Sequence, residues 1–584
     1  MTTFDNRINT ATILTKAKEI LRSPDATVLL WLGVWWLVNI VTAACSELAN
    51  DEAYYHIFAE RLSWGYFDHP PVTALLVRAG ELLFGGELGV RFFFTLLQPL
   101  YLWIFWRTIR PADATHSDAR LYTMLCAAML ILQLYGFIAV PDGPLLFAAA
   151  LFLAAFKAFA DDKPLSWLAL GLATGFMAYC KYHGALVLIF TILANVGWFL
   201  RRPRKIALLA AAGAVAFATI IPHLLWQYHH DWASFAYHLS GRNGYFRLSN
   251  ITDFLVNMAV VFSPFYLPLW VQSYRKVKAE TPLQRTLKTM PPAFIIFFTL
   301  SSIRGYVQPQ WAIAAVFGLV WILFSYARRH PRTRRYVMIA GSVTLVLIAL
   351  VRIVMIFNPT GIKFEVFDNK TSYKRIADEA AGRPVIFDGS YALAAKYRFY
   401  GGTEDAFGQP NINYRTSQWQ FRDDDRRFTG RDVLATVNPK AYPEGETTCI
   451  ELPNGHRFCY REIKDFHPTR ETVVTALKPL PESVHTGEVL QLSLRIENPY
   501  PYGIIVDGRE ILFEMLWSRR KEECRFVPLC NGFCIPAGGS IEVDCSVTVP
   551  QDLPECEYTV GFAVRHKDMS TWFCGGQNQL AISN

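Results

Sequence analysis

Long apolar runs dominate the first part of the chain, whereas polar and apolar residues are evenly mixed in the remainder. From Thr27 to Phe357 the sequence consists largely of Leu, Ala, Val, Ile, Phe and Trp, and from Asn358 onward it has the composition of a soluble protein. Apolar runs of about twenty residues are long enough to cross a bilayer as helices. The pattern therefore predicts a polytopic α-helical membrane part, residues 27–357, followed by a soluble part.

The apolar runs predict about eleven membrane spans. The predicted spans are 27–44, 89–106, 121–138, 142–160, 165–181, 184–200, 206–225, 251–272, 289–303, 310–327 and 336–357. Segment 70–84 is apolar but short, and Arg78 and Glu81 interrupt it. We expect an interfacial helix there rather than a span.

Basic residues predict the orientation of these spans. The formal net charge is +8, and the Lys and Arg residues cluster in short loops, as cytoplasmic loops do. The N-terminal segment, residues 1–26, holds Lys16, Lys18 and Arg22 and is predicted to be cytoplasmic. An odd number of spans then places the soluble part on the opposite side. No nucleic-acid motif accompanies the positive charge, so we expect no nucleic-acid partner.

The soluble part is predicted to contain two domains. Residues 358–468 combine helical stretches (373–381 and 392–400) with an apolar strand (384–387), which indicates an α/β domain. Residues 469–584 alternate at the period of a β-strand and contain regular turn signals, which indicates an immunoglobulin-like β-sandwich.

Eight of the eleven cysteines, from Cys449 to Cys574, lie in the soluble part. This concentration favours disulfides and an oxidising compartment. Two strand-like arms around an Asn-Gly turn predict a hairpin that brings Cys449 and Cys459 within disulfide reach. A zinc site at Cys530 and Cys534 is the alternative, but no second pair of ligands completes it.

The predicted topology collects unusual polar residues at one membrane interface, where unpaired charge is costly. They are Asp51, Glu52, Asp68 and His69 in the first outer loop, Asp142 at the start of one span, Lys181 at the end of the next, Arg304, and the 223–250 loop with His223, Trp226, Gln227, His229, His230, Asp231, Arg242 and Arg247. Carboxylates, imidazoles, cations and aromatic rings together suit an anionic lipid that carries a sugar.

In this order, the motifs resemble those of the membrane-embedded GT-C glycosyltransferases. The resemblance is strongest to the bacterial branch with protein O-mannosyltransferase-like enzymes and the aminoarabinose transferase of lipid A. The segments that carry it are Asp51-Glu52, Tyr66-Phe67-Asp68-His69-Pro70-Pro71, Pro141-Asp142, Lys181-Tyr182 and Pro222-His223-Leu224-Leu225-Trp226-Gln227-Tyr228. An ordered set of motifs is far more specific than any one of them.

The resemblance implies an inverting sugar transfer from a polyprenyl-phosphate donor, without a nucleotide sugar, to a lipid, glycan or protein acceptor. It also implies a bacterial inner-membrane protein whose reaction and C-terminal domains are periplasmic. One departure concerns Asp68-His69, where the aminoarabinose transferase has a Glu-Lys pair. Lipid A therefore does not carry over as the acceptor.

Three acidic residues are the catalytic candidates. The resemblance places Asp51 at the family's catalytic acid, where it would serve as the base for the acceptor hydroxyl. The alternative role is a cap on a helix that begins near Ala53. Glu52 is expected to orient the acceptor or to pair with a cation. Asp142 follows Pro141 at the start of a span, so helix capping competes with catalysis there as well.

The predicted substrate-binding residues share the same interface. Lys181 and Arg304 are candidate phosphate contacts, although either cation could instead reach the lipid headgroups. Asp68 and His69 could bind the acceptor, the donor phosphate or a divalent ion. The remaining candidates, taken from the motifs, are Tyr182, His223 and Trp226. No metal or other cofactor is required by the sequence, and any metal ligands stay unknown.

Two other functional classes compete with the enzyme. A polytopic lipid or glycan transporter, or a flippase with a periplasmic carbohydrate-binding domain, would share the hydropathy pattern. Transporters usually show repeat symmetry and charges near the middle of the membrane. Here the charges collect at one interface, which favours the glycosyltransferase. A non-catalytic carbohydrate-binding membrane protein is the third possibility.

Overall fold

The structure is a computed structural model that describes residues 23–239, 246–520 and 523–583. It divides into two compact units, Met1–Ile362 and Lys363–Asn584, which are described separately. The basic residues Lys16, Lys18 and Arg22, together with Arg242, lie outside the described residues.

The described part of the first unit is helical throughout. Its helices are α1 (Pro24–Cys45), α2 (Asn50–Glu60), α3 (Val72–Glu81), α4 (Gly86–Ile109), α5 (His116–Ala127), α6 (Leu130–Leu134), α7 (Asp142–Ala160), α8 (Ser166–Cys180), α9 (Gly184–Ala194), α10 (Val196–Leu200), α11 (Pro203–His229), α12 (Ala233–Leu239), α13 (Leu248–Val261), α14 (Leu267–Lys276), α15 (Pro282–Ser301), α16 (Ala315–Ala327) and α17 (Pro331–Phe357).

Five of these helices are long and apolar enough to cross a membrane by length and composition: α1, α4, α7, α11 and α17. A sixth span would result if the bent pair of α13 with the segment Pro264–Lys276 crosses as one unit. Helices α8, α9 and α16 are apolar but shorter. The first unit is therefore a membrane fold with several apolar helices.

Four predicted spans are not continuous helices. One of them, 310–327, is divided between a 3-10 helix (Pro309–Ala312) and α16. The predicted span 121–138 is divided between α5 and α6, and the predicted span 184–200 is interrupted at Asn195. The predicted span 251–272 bends by 88° beside Ser263, whose φ is 87°. Buried polar side chains account for the breaks in the predicted spans 121–138 and 184–200. The side chain of Asn195, for example, donates a hydrogen bond to the hydroxyl of Thr286 on α15, and the helix is interrupted at Asn195.

Small residues allow α8 and α11 to pack closely. A Cβ on Gly171 would lie 2.6 Å from the carbonyl oxygen of Ala212, and one on Gly175 would lie 2.8 Å from the Cβ of Thr219. Glycines four residues apart on one face let two membrane helices approach each other. This packing fixes the end of α11, which contributes to the candidate site, against the end of α8.

The second unit is rich in sheet, as expected from the sequence. Its elements are α18 (Asn369–Ala380), β1 (Val385–Asp388), α19 (Tyr391–Gly401), β2 (Ala406–Gln409), β3 (Arg431–Thr436), β4 (Thr448–Glu451), β5 (Arg457–Phe466), β6 (Val473–Ala476), β7 (Ser483–His485), β8 (Val489–Glu497), β9 (Ile504–Val506), β10 (Ile511–Arg520), β11 (Glu523–Pro528), β12 (Phe533–Ile535), β13 (Ser540–Thr548), β14 (Glu557–His566) and β15 (Asn578–Ser583).

The strands of this unit form one mixed sheet and a set of mostly antiparallel sheets. The mixed sheet has the order β2-β1-β3-β5-β4, with β1 parallel to both β2 and β3. The other sheets have the orders β11-β10-β14-β15-β7, β13-β8-β6 and β12-β9. One apolar core is shared by strands of these last three sheets.

The predicted disulfide between Cys449 and Cys459 is confirmed. The two cysteines face each other across the antiparallel pair β4 and β5. The chain turns between these strands at Gly455, whose φ of 86° is favourable for glycine.

Candidate active site

The two neighbouring carboxylates that follow α1 lie in the first turn of α2. Because α2 begins at Asn50, three residues earlier than expected, Asp51 and Glu52 are both inside the helix. Glu52 accepts a hydrogen bond from the backbone N–H of Ala49 at 3.0 Å. Glu52 is fully buried, whereas Asp51 is half-buried. Their environments therefore differ although the residues are adjacent.

Glu52 forms a buried ion pair with Arg91 of α4, and both side chains are almost inaccessible to solvent. The Nε and Nη2 of Arg91 donate to the two carboxylate oxygens at 2.6 and 2.5 Å. The backbone N–H of Ala139 adds a bond of 2.8 Å. With Ala49, the carboxylate thus accepts four hydrogen bonds, about as many as its lone pairs allow. Glu52 therefore fixes the local structure and has no free lone pair for a substrate.

The segment between α6 and α7 is held by buried polar side chains. The backbone carbonyl of Gly136 accepts from the side chain of Asn39 at 3.1 Å. The ring of Phe137 lies between two arginines, with the guanidinium carbons of Arg91 and Arg352 at 5.7 and 5.2 Å from its centroid. Together with the bond from Ala139 to Glu52, these contacts fix the approach to Asp142.

Asp142 begins α7 and is paired with Lys181, which directly follows α8. The Nζ of Lys181 donates to the Oδ1 of Asp142 at 2.7 Å, and both residues are buried. Asp142 also interacts electrostatically with Asp51, and both carboxylates act on the phenol of Tyr135. The structure therefore brings Asp51, Asp142 and Lys181 together.

The loop that follows α2 is fastened to the end of α11 and to α12. The ring of His223 donates from Nδ1 to the backbone carbonyl of Trp64 at 2.7 Å. A Cβ on Gly65 would lie 2.4 Å from the indole of Trp226, so only glycine fits there. The hydroxyl of Ser234 donates to the carbonyl of Tyr66 at 2.8 Å. These contacts place the loop beside the other candidate residues.

A chain of hydrogen bonds connects Tyr182 to this loop. Because the Nδ1 of His223 donates to a carbonyl, the Nε2 of the neutral ring accepts from the hydroxyl of Tyr182, at 3.1 Å. The amide of Gln227 donates to Tyr182 at 3.1 Å and to Ser234 at 2.7 Å. Burial raises the pKa of Tyr182, as does the negative charge of Asp68. The phenol therefore remains a donor, and Asp68 lies near it.

Asp68 and His69 lie among aromatic rings. Asp68 is buried, and its backbone carbonyl oxygen accepts a hydrogen bond from Nε2 of His238 at 2.9 Å. The ring centroid of His69 is 5.5 Å from that of Tyr55 and 6.3 Å from that of His238. Trp226 stacks on His230 with centroids 4.0 Å apart. Aromatic surfaces beside a carboxylate suit the binding of a sugar ring.

Within the described residues, no side-chain contact joins Arg304 to the other candidate residues. It is exposed, and its backbone N–H donates to Ser301. Nearby in the chain, Trp311 lies with its ring 5.1 Å from that of His183, which follows Tyr182. Within the described ranges, no group of three His, Cys, Asp or Glu side chains is placed to hold a metal ion.

The sequence analysis missed the two arginines that support the site. Arg91 and Arg352 both lie within predicted spans, where a charged residue is rare and usually functional. That signal was present in the sequence. Their partners were not predictable, because Glu52, Asn39 and Gln133 come from distant helices.

The comparisons with known proteins agree with this geometry. Residues 68–226 match the family described as dolichyl-phosphate-mannose-protein mannosyltransferase. This region contains Asp68, Asp142, Lys181 and His223, but neither Asp51 nor the second unit.

The described fold also has a counterpart among solved structures. ArnT from Cupriavidus metallidurans, solved in the apo state and bound to undecaprenyl phosphate, aligns with a TM-score of 0.55 and 14% identity. The alignment covers 74% of this chain and 97% of ArnT. The chain therefore shares its fold with ArnT, and part of it is similar to the mannosyltransferase family.

Two curated relatives of this chain come from Rhizobium johnstonii. The lipopolysaccharide core galacturonosyltransferase RgtA is 30% identical over 210 residues, which are 34% of this chain and 41% of RgtA. The lipid A galacturonosyltransferase RgtD is 24% identical over 342 residues, which are 52% of this chain and 66% of RgtD. The alignments therefore span less than two thirds of each relative.

Proposed function

We propose that this protein is an integral-membrane glycosyltransferase of the GT-C type that transfers a sugar from a polyprenyl-phosphate donor to a lipid, glycan or protein acceptor. The observation that carries the proposal is the cluster of Asp51 in α2, Asp142 at the start of α7 and Lys181 directly after α8. A half-buried carboxylate beside a second, cation-paired carboxylate is suited to receive a proton from a hydroxyl group.

Asp51 is the proposed base. The acceptor hydroxyl oxygen forms a bond to the anomeric carbon while the bond from that carbon to the phosphate oxygen breaks. The hydroxyl proton passes to Asp51, and polyprenyl phosphate departs as the leaving group. Attack opposite the leaving phosphate inverts the anomeric configuration. Glu52 takes no part in the proton transfer because Arg91, Ala49 and Ala139 occupy its carboxylate.

Lys181 is proposed to act through Asp142. Its ammonium group is 2.7 Å from Asp142 and buried, so it stabilises the ionised carboxylate. It can contact the donor phosphate only if that pairing loosens. Arg304, which is exposed, is the proposed phosphate contact from the loop before α16.

The sugar is proposed to bind on the surface formed by the loop after α2, the end of α11 and α12. Tyr182, His223 and Trp226 supply a phenol, an imidazole and an indole there. Hydrogen bonds with Gln227 and His223 hold Tyr182 in place, and the carbonyl of Trp64 holds His223. Asp68 and His69 complete this surface from the loop. Such a combination binds sugar hydroxyls by hydrogen bonds and the sugar ring by stacking.

The relatives support a particular first choice of donor and acceptor. RgtA and RgtD are named as galacturonosyltransferases of lipopolysaccharide core and lipid A, and the ArnT structure contains undecaprenyl phosphate. We therefore propose a galacturonosyl polyprenyl phosphate as the donor and an envelope glycolipid as the acceptor.

The proposed location is the bacterial inner membrane, with a cytoplasmic N-terminus and a periplasmic C-terminus. Nine spans would result if the three shorter apolar helices and the bent pair cross as well as the five long helices. The proposed eleven spans also require α15, and α5 together with α6, to cross. The soluble part would then comprise a periplasmic α/β domain, 358–468, and an immunoglobulin-like sandwich, 469–584, for which we propose a role in binding the acceptor.

The test is a reaction with purified protein. Undecaprenyl phosphate carrying galacturonic acid, mannose or aminoarabinose would be supplied in turn with an envelope lipid extract. We expect release of undecaprenyl phosphate together with a glycosylated lipid of matching mass, and no reaction with nucleotide sugars. Turnover of a nucleotide sugar would contradict the proposal. It would also be contradicted if folded protein showed no turnover with any lipid-linked donor.

A further inference from the structure

Arg352 is a buried cation inside an apolar helix, and its side-chain partners among the described residues are neutral. It lies on α17 and is 8% exposed. Its Nη1 donates to the hydroxyl of Thr42 at 2.7 Å, and its Nη2 donates to the side chains of Asn39 and Gln133 at 2.7 and 2.9 Å and to the backbone carbonyl of Gln133 at 3.1 Å. No carboxylate of the described ranges pairs with it. An unneutralised charge within a span is costly and calls for a functional reason.

The same arginine lines a cavity whose surface is mostly apolar and whose other polar lining residues are Arg120, Thr123 and Gln133. The cavity has a volume of about 280 Å³ and lies among α1, α5 and α17. We call it the Arg352 groove, and its lining includes Trp31, Val34, Val38, Met338, Ile348 and Arg352. Trp31, Val34 and Val38 are about half exposed, so the groove opens on the apolar surface of the helices.

The groove has the length of one lipid chain. Met338 and Arg352 are fourteen residues apart on α17 and both line it, which corresponds to about 21 Å of helix. One half of a bilayer core is about 15 Å thick. Arg352 lies five residues before the end of α17 at Phe357, or about 8 Å of helix from that end. The cation is thus near the depth of a lipid headgroup, and the apolar part of the groove extends away from it.

We propose that the Arg352 groove binds one anionic phospholipid, with a phosphate oxygen on Arg352 and one acyl chain along α1 and α17. A guanidinium has five N–H donors, and the recorded partners of Arg352 use three of them. Its Nε–H and the second Nη1–H remain for an anion. A phosphate there supplies the negative charge that the surrounding protein does not.

The bound lipid would also support the candidate active site. Asn39, which accepts from Arg352, donates to the carbonyl of Gly136 in the segment that leads to Asp142. Neutralising Arg352 lowers the cost of keeping this network buried. The site is separate from the proposed donor site, and its test measures binding rather than sugar transfer.

The experiment measures lipid retention by native mass spectrometry. The full-length protein is taken from nanodiscs that contain phosphatidylcholine with a minor fraction of phosphatidylglycerol, and undecaprenyl phosphate replaces phosphatidylglycerol in a parallel sample. Three variants are compared with the unmodified protein. Arg352→Gln removes the cation, Val38→Trp fills the groove without touching the network, and Arg202→Gln removes a matched arginine that stacks on Trp198 outside the groove.

We expect one retained phosphatidylglycerol on the unmodified protein and on Arg202→Gln. Arg352→Gln and Val38→Trp should each bind it roughly ten- to a hundredfold more weakly, the range expected for a lost charge-assisted contact. Equal retention of phosphatidylcholine and phosphatidylglycerol would overturn the proposal. It would also be overturned if Arg352→Gln and Val38→Trp weakened the retention of undecaprenyl phosphate but not that of phosphatidylglycerol. Because Val38→Trp leaves Arg352 in place, unchanged retention by this variant refutes the site even if Arg352→Gln does not fold.

Discussion

The buried pair of Glu52 and Arg91 makes a sharp prediction about stability. Glu52→Gln keeps the size of the side chain but removes its charge. The carboxylate accepts four N–H groups, whereas the amide oxygen of Gln can accept two, and its NH₂ group then faces the remaining donors. Arg91, which is 1% exposed, is left without its counter-ion.

The magnitude follows from breaking a buried ion pair on one side only. Such a change costs about 3–5 kcal/mol because the remaining charge stays buried and uncompensated. Arg91 keeps its bonds to the carbonyls of Ala43, Ser46 and Glu47, so we expect the lower part of this range. Asp51→Asn, at the preceding residue, provides the matched control because Asp51 is half-buried, whereas Glu52 is fully buried.

The assay is thermal unfolding of purified protein in detergent. Glu52→Gln should melt clearly below both the unmodified protein and Asp51→Asn. Glu52→Gln combined with Arg91→Met should recover part of the loss, since no buried charge then remains unpaired. If Glu52→Gln unfolds at the same temperature as the unmodified protein, the ion pair does not hold the segment before Asp142. Our reason for excluding Glu52 as the base would then fail.

Three further predictions concern other contacts. Lys181→Met should destabilise the protein and abolish transfer, whereas Lys181→Met with Asp142→Asn should recover folding in the same melting assay but not activity. Burial raises the pKa of Asp388, so ionisation of its carboxyl group opposes folding. The stability of the second unit should therefore fall as the pH rises from about 3.9 through the higher pKa of the folded state. In chemical denaturation, Asp388→Asn should show a weaker decline of stability over the same pH range. Replacing Cys449 and Cys459 by Ser, which opens a ten-residue separation, should cost roughly 2–3 kcal/mol in the second unit, measured by denaturation; equal stability would refute this.

Hydropathy predicted where helices occur but not where they break. The apolar run 142–160 became α7 with the same bounds, because nothing in it competes with the helical hydrogen bonds. In contrast, the side chain of Asn195 bonds to Thr286 across the bundle where one predicted span is interrupted. The amide of Gln133 donates to the carbonyl of Ala127, where α5 ends and another predicted span is broken. Hydropathy averages over a window, so it does not register single side chains whose partners come from another helix.

The approach of Asp51 to Asp142 was predictable in outline, since alternating spans place both at one interface. The different burial and hydrogen-bond partners of Asp51 and Glu52 were not predictable from their neighbouring positions. They depend on Arg91, 39 residues beyond Glu52, and on the N–H of Ala139. Topology predicted which residues converge, whereas the partner of each required the packed structure.

The most direct test of the account is sugar transfer by the Asp51→Asn variant. Purified protein would receive a polyprenyl-phosphate-linked sugar and its acceptor, and the rate would be normalised to folded enzyme. The acceptor hydroxyl needs a base, and Asn retains the size of Asp without its basicity. We therefore predict that the transfer rate falls by a factor of roughly one hundred or more, while the melting temperature stays unchanged. Near-normal transfer by Asp51→Asn would contradict the central claim and move the base to Asp142.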